Sequence, residues 1–250
     1  MLQSNGRDPD PCVSVLVPVR NEAGNIAPLV AEIAAALQGR AFEVVYVNDG
    51  SDDTTEEELR RLMGERPWLR LIRHEQTCGR SAAVRTGVTM ARAPIIVTLD
   101  GDGQNDPAFI PDFVAGLEED ALRVGLVAGH RVGRKATGFK KLQSRLANAV
   151  RRALLKDGSG DSGCGLKAFR RDLFLSLPYF DGLHRFLPAL VRREGFDVGY
   201  IDVVDRPRWH GQSNYGLWDR LWVGIFDLAG VWWLIWRKKR VSHHEEVTTP

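Results

Sequence analysis

The chain has 250 residues, 44% hydrophobic and 26% charged, with 25 glycines, 12 prolines and three cysteines. That composition supports one sizeable core and excludes a disordered tail, a collagen-like repeat and a disulfide-stapled scaffold. The net charge of +2 hides a split: residues 1–120 hold 11 Lys+Arg against 20 Asp+Glu, leaving 23 against 12 for residues 121–250. An acidic first half suits a cation, and a basic second half suits a polyanion such as nucleic acid or an anionic membrane.

Residues 13–19 (VSVLVPV) and 42–48 (FEVVYVN) are β-branched runs that predict strands. At seven residues the first is too short for a signal-peptide core or a membrane span, so the bulk of the chain is expected to be cytoplasmic. Between these runs Ile26, Leu29, Val30, Ile33, Ala34 and Leu37 recur at helical spacing over residues 25–37. A helix capped by Asp53 or Thr54 and running through Met63, a strand at 69–73, a helix at 81–91 and a strand at 95–99 continue the alternation. The pattern predicts an α/β fold, a Rossmann-like, mostly parallel sheet with helices on both faces, whose ligands bind beyond the carboxyl ends of the strands. Polar clusters stand at three such ends: Arg20-Asn21-Glu22, Asn48-Asp49-Gly50-Ser51 and Asp100 to Gln104.

A strand at 123–129 follows, then residues 131–156 with nine basic residues and no acid over an apolar stripe of Phe139, Leu142, Leu146, Ala149, Val150 and Ala153. That predicts a helix with one buried and one basic face, the latter meeting anionic lipid or phosphate. A glycine-rich turn at 157–165, a strand at 166–169, a helix at 184–193, a strand at 198–204 and a loop at 207–216 complete one catalytic domain, residues 1–216. Residues 217–240 carry five of the seven tryptophans and end in Arg237-Lys238-Lys239-Arg240, with a polar tail at 241–250. The apolar run 221–236 reaches about 24 Å as a helix, short of the roughly 30 Å hydrocarbon core, so helices lying in the membrane interface are expected here.

Asp100-Gly-Asp102-Gly-Gln104 places two carboxylates and an amide oxygen at alternate positions of a turn, a hard-oxygen set suited to Mg²⁺ or Mn²⁺. Glu22 and Asp49 can accept from a ribose hydroxyl or a base N–H, or can cap the following helices. No Gly-x-Gly-x-x-Gly follows the first strand and there is no P-loop. Cys12, Cys78 and Cys164 have no paired spacing and are expected to be reduced, mostly buried thiols. His74, His130 and His184 read as structural.

PVRNEAGNI (18–26), NDGSDDTT (48–55), DGDGQ (100–104), SGCGLKAFRRD (162–172) and RPRWHGQSNYG (206–216) resemble, in order and spacing, the successive motifs of family-two inverting glycosyltransferases with the GT-A fold. Within that family they look most like dolichyl- or polyprenyl-phosphate mannosyltransferases. The resemblance implies a nucleotide-sugar pocket of Pro18, Arg20, Glu22, Val47, Asp49, Asp100 and Gly101, and a divalent metal on Asp100, Asp102 and Gln104. It implies acceptor-phosphate contact by Arg131, and donor contacts by Arg208 and position 214. Many polyprenyl-phosphate members carry lysine where this chain has Asn214, and Gly101 and Gly103 replace larger residues. Asp161 matches an acidic position that would be the base toward a hydroxyl acceptor, and an orienting group toward a phosphate.

The resemblance thus implies transfer of a hexose from a nucleotide-diphosphate sugar, GDP-mannose favoured and UDP-glucose possible, to a polyprenyl phosphate at the cytoplasmic membrane face. A related transferase acting on a hydroxyl is the alternative. Nucleic-acid binding is disfavoured, because the aromatic residues cluster in one apolar run instead of interleaving with the basic ones.

Overall fold

The computed structural model describes residues 10–132, 151, 153–155, 157–161, 163–208 and 217–238. The first half alternates as expected: β1 (Val13–Val19), α1 (Ala23–Ala36), β2 (Phe42–Asp49), α2 (Thr55–Met63), β3 (Leu69–His74), α3 (Arg80–Met90) and β4 (Ile95–Thr98). Asp53, not Thr54, supplies the side chain at the start of α2, accepting from the Thr55 N–H at 2.9 Å. A 3₁₀ turn (Pro107–Phe109) and α4 (Ile110–Glu118) come next and were not anticipated from the sequence. Pro107 and Pro111 look like helix breakers, yet each stands in a first turn, where a missing N–H costs nothing.

The second half contains β5 (Val124–Arg131), β6 (Lys167–Arg170), α5 (Arg171–Ser176), α6 (Leu183–Arg193), β7 (Asp197–Val203) and α7 (Leu217–Arg237). The seven strands lie in the order β3-β2-β1-β4-β6-β5-β7. Pairing is parallel except at β6, which runs antiparallel to both β4 and β5. Lys167, at the start of β6, is opposite Thr98 near the end of β4 and Ala128 near the end of β5. The turn leading into β6 therefore meets the segments leaving β1, β2, β4, β5 and β7 at one edge of the sheet. That reversal gathers the site.

Strand alternation sends Val13, Val15, Val17 and Val19 to a core shared with α1, α2 and α4, and Leu16, Val45 and Val47 to a second core under α3, α5 and α6. Each fully buried aliphatic side chain contributes about 1.5–3 kcal/mol. Gly87 lets α3 lie close to the sheet, because a Cβ there would fall 2.0 Å from Leu16 Cδ1.

The apolar stripe expected over 131–156 falls largely outside the described residues: Phe139, Leu142, Leu146, Ala149 and Val150 are not described. Residues 151 and 153–155 are helical, but Ala153 is exposed and Leu155 is buried, so the burial register differs from the expected one. Arg151 does not join a basic face. It is buried, ion-paired with Asp157 at 2.6 Å, and its guanidinium lies over the Phe186 ring. Among the cysteines only Cys164 is buried; Cys12 and Cys78 are exposed, and all three are free.

At 21 residues, α7 is longer than the apolar run that predicts it, about 31 Å. Length alone therefore does not keep it from crossing a bilayer. Its lateral docking on α6 matters more. Asp227 pairs with Arg185 at 3.2 Å, the Leu234 carbonyl accepts from Arg193 at 3.0 Å, Lys238 bonds Glu194, and Val231 is buried. Phe226, Trp232, Trp233 and Trp236 stand exposed, with the last pair of non-adjacent tryptophan rings, 232 and 236, stacked at 6.3 Å. No helix among the described residues is long and apolar enough to cross a membrane.

Candidate active site

The loops after β1 and β2 are sewn together by short polar side chains. Asn21, at φ 58°, exchanges two hydrogen bonds with Asp52 and donates its N–H to Ser51 Oγ, while the Glu22 N–H donates to Thr55 Oγ1. Asparagine tolerates that left-handed backbone better than most residues. Glu22 occupies the N-cap position of α1 but does not cap it; its carboxylate accepts from Asn25. Burial and the nearby Asp102 push the Glu22 carboxyl above its ordinary range, partly offset by Asn25 and Arg208. Arg20 is exposed and Pro18 half-buried at the same edge, whereas the Val47 side chain is wholly in the core, which leaves its backbone as the part that can face a ligand.

Asp49, expected to meet a ribose or a base, is surrounded by donors of the protein itself. Its four acceptor positions are filled by His74 Nδ1 (2.7 Å), the Thr77 hydroxyl (2.9 Å) and the N–H groups of Cys78 and Gly79 (2.9 Å each). Burial raises this carboxyl and the four donors outweigh it, holding it below its ordinary range. Asp49 thus fixes the 74–79 loop that forms one wall of the site, and does not cap α2.

The loop after β4 carries the expected metal ligands, and each carboxylate meets an arginine. Asp102 pairs with Arg208 at 2.7 Å, Asp100 pairs with Arg80, and Asp102 Oδ1 accepts from the Gln104 N–H. Burial, then repulsion from Asp100, pushes the Asp102 carboxyl up despite Arg208. Two close carboxylates, one of them destabilised as an anion, are a donor set that fits a hard divalent cation, and Gln104 stands in the same loop, its backbone tied to Asp102. Arg80 was missed from the sequence, where it stands just ahead of the helix expected at 81–91. The glycines that depart from the family pattern have local reasons: a Cβ on Gly101 would lie 2.5 Å from Val19 Cγ1, and Gly103 has φ +74°. Asp100 packs onto Gly165, where any Cβ would collide with its carboxylate.

On the other side of β6, Arg131 at the end of β5 is clamped between two acids. Its Nε and Nη2 donate to Asp161 at 2.5 and 2.7 Å, and Nη1 donates to Asp205 at 3.3 Å. Burial raises the Asp161 carboxyl, but the guanidinium and the N–H groups of Gly163 and Arg131 outweigh it and hold it below its ordinary range. Asp205 is the second residue missed in the sequence; it stands in the segment after β7, which periodicity does not resolve. One of its oxygens, Oδ1, is buried with no hydrogen-bond partner among the described residues. Next to it, Arg206 bridges Glu32 of α1 (2.8 Å) and Asp106 (2.6 Å), fastening this segment over the metal-side loop. Asn214 lies outside the described residues. The remaining predicted site residues converge on one sheet edge.

The sequence profile described as glycosyl transferase family 2 matches residues 14–177. The chain belongs to that family. Dodecaprenyl-phosphate galacturonate synthase of Rhizobium johnstonii is 35% identical over 92% of this chain and 69% of its own length. Undecaprenyl-phosphate 4-deoxy-4-formamido-L-arabinose transferase of Edwardsiella ictaluri is 31% identical over 82% of this chain and 63% of its own. The chain thus spans about two thirds of the length of these curated relatives. Among solved structures, glucosyl-3-phosphoglycerate synthase from Mycobacterium tuberculosis in complex with Mn²⁺, UDP and glucosyl-3-phosphoglycerate superposes with a TM-score of 0.67 at 20% identity, covering 90% of this chain and 80% of that one. A Pyrobaculum calidifontis mannosyltransferase in complex with GDP-Man and Mn²⁺ gives 0.61 at 24% identity, over 82% and 59%. At these identities the structural likeness speaks for the GT-A fold, the family-two architecture expected from the motifs.

Proposed function

We propose that this family-two protein transfers a sugar, with inversion, from a nucleotide-diphosphate sugar to a polyprenyl phosphate. The observation that carries the reading is the locked Asp161. A carboxylate held below its ordinary range by a bidentate arginine is ionised but a poor proton acceptor. A hydroxyl nucleophile needs a competent base; a phosphate oxygen arrives already anionic. The lipid-phosphate relatives point the same way.

In this reading Asp161 and Asp205 orient Arg131, whose two remaining N–H groups, of five on a guanidinium, take the acceptor phosphate. A phosphate oxygen attacks the anomeric carbon as the bond from that carbon to the diphosphate oxygen breaks, and the nucleoside diphosphate leaves with the bonding pair. Asp100, Asp102 and the Gln104 side chain would hold Mg²⁺ or Mn²⁺, and such a cation would supply neutralisation of charge developing on the leaving diphosphate. Arg208 exchanges Asp102 for that diphosphate. Glu22 and the wall fixed by Asp49 bound the nucleotide.

The sugar is read at the level of a hexose or related sugar. Mannose is the leaning of the motifs, while the relatives named above carry galacturonate and formamido-arabinose. The exposed aromatic face of α7, ending in Arg237 and Lys238, supports attachment to a membrane surface, with the cytoplasmic face as the expected side. A screen of radiolabelled nucleotide sugars, GDP-mannose, UDP-glucose and a UDP-hexuronate, against polyprenyl phosphate tests the reading. Label moving into the organic phase supports it. Transfer to saccharide or lipid hydroxyls alone overturns it.

A further inference from the structure

Asp49, His74 and Cys78 meet in the wall formed by the 74–79 loop, and the Cys78 thiol has no part in the transfer described above. Asp49 ends β2, His74 is its register partner at the end of β3, and Cys78 follows in the loop. One ligand atom from each, a carboxylate oxygen, an imidazole nitrogen and a thiol sulfur, lies within 4.8 Å of the other two. Their spacing along the chain conceals the group; strand pairing assembles it.

Nitrogen and sulfur beside one carboxylate are a Zn²⁺-type donor set, whereas the all-oxygen set of the loop after β4 suits Mg²⁺ or Mn²⁺. His74 is already held as a ligand would be. Its Nδ1 stands 2.7 Å from Asp49 Oδ1, and its Nε2 stands 3.0 Å from the Thr86 hydroxyl of α3. A metal at Nδ1 leaves the imidazole proton on Nε2, donating to Thr86, the kind of second hydrogen bond that orients a zinc-bound histidine. Tetrahedral bonds of zinc length set the nitrogen and the oxygen about 3.4 Å apart, so this pair has only to part slightly. Asp49 keeps its other three donors, from Thr77, Cys78 and Gly79. Cys78 is exposed, with one long contact of its thiol to the Gln76 carbonyl at 3.4 Å, so the sulfur can turn inward and water can take the fourth position. The thiol proton leaves to solvent, nothing is oxidised, and a dication with one thiolate, one carboxylate and a neutral imidazole has no net charge.

We propose that Asp49, His74 and Cys78 form a second metal site, selective for a thiophilic divalent cation such as Zn²⁺, whose occupancy weakens binding of the donor nucleotide. The coupling is steric. The loop has no slack against the end of β2, since a Cβ on Gly50 would lie 2.7 Å from the Thr77 backbone nitrogen. Drawing Cys78 onto a metal therefore shifts the wall, and with it Arg80, which pairs with Asp100. The effect on nucleotide rests on the nucleotide-sugar reading; the metal site does not.

Co²⁺ is the probe, because a thiolate ligand gives it a near-ultraviolet charge-transfer band that oxygen ligands do not. Titration of the untagged, reduced full chain, with excess Mg²⁺ for the carboxylate loop, should produce that band, and Zn²⁺ should displace the Co²⁺ and erase it. Cys78→Ser should abolish the band, while Cys12→Ser, at the other exposed thiol, should leave it. Thr86→Val keeps all three ligands and should weaken Zn²⁺ binding about 10- to 100-fold; it also serves should the Ser variant fail to fold, which thermal melting without metal reports. In calorimetric titrations with UDP and GDP, Zn²⁺ should raise the nucleotide Kd of the wild type at least about fivefold, the low end of ordinary coupling between sites, and should not move that of Cys78→Ser. No band in the wild type, or a band that survives Cys78→Ser, overturns the site. A band with an unchanged nucleotide Kd overturns the coupling. A metal-free wild type that binds no nucleoside diphosphate overturns the donor reading, while the band still decides the site.

Discussion

Asp102 illustrates how a site residue works against the stability of the fold. Its carboxyl is raised by burial and by Asp100, so ionising it costs more in the folded chain than in the unfolded one. The penalty is absent at pH values below the ordinary aspartate range and grows as the pH rises through the folded value. Asp102→Asn should therefore raise the Tm of the metal-free protein at pH 7, with the gain vanishing near pH 3, while abolishing transfer and the Tm increase on adding Mn²⁺. Melting curves at the two pH values check this; equal gains at both would refute the linkage. Asp161 has the opposite sign. Its lowered carboxyl contributes stability that is present above the ordinary aspartate range and is lost as the pH falls through the folded value. Arg131→Ala, which leaves Asp161 and Asp205 without their cation, should cost about 3–5 kcal/mol, measurable by urea denaturation. In Asp161→Asn the pH profile of the residual activity should show no lost base; a rate loss beyond the roughly 10²- to 10⁴-fold range of general base catalysis would favour a hydroxyl acceptor.

Helix α7 makes its own prediction at the scale of elements. One flank is tied to α6 by Asp227, Leu234 and Lys238, and the other exposes Phe226, Trp233 and Trp236. A chain ending before Leu217 should lose binding to anionic vesicles and most activity toward long-chain lipid phosphate. Nucleoside diphosphate binding should change little, because Glu22, Asp49 and Asp102 lie on other elements. High salt should partly release the full-length protein, since the basic end acts through screened charge. A tag after Pro250 that is reached by a protease added outside intact cells would show that the segment crosses the bilayer.

Elements were legible where their periods were clean. The first four strands and three helices were found because β-branched runs alternate there with a 3.6-residue stripe. The 3₁₀ turn and α4 were not, because Pro107 and Pro111 look like interruptions when they are N-terminal residues. Among the proposed site residues, Glu22, Asp100, Asp102 and Arg131 were put forward by motif, and the fold brings them to one sheet edge. Arg80 and Asp205 were not, because a single charge has no local signature until the fold supplies its partners. Asp49 was found but its partners were not: four donors from residues 74–79 reach it through the β2–β3 pairing, a tertiary fact.

At the scale of the whole molecule, the antiparallel strand β6 also sets the order in which the molecule can be assembled. Its neighbours β4 and β5 are complete by Arg131, yet they can pair with it only after residues 167–170 arrive, so a gap one strand wide must stay open in the sheet until then. Pairings of that sequence separation form late and slowly. During synthesis residues 1–132 would leave the facing edges of β4 and β5 unfilled, and such edges invite pairing with other chains. A fragment ending at residue 132 should accordingly aggregate, and should become soluble when residues 133–250 are supplied as a second polypeptide; a monomeric, cooperatively melting fragment would show that the first half folds alone. Catalytic competence and a sealed sheet would then arrive in the same step of folding, because the strand that closes the gap also brings the Asp161 turn to the edge.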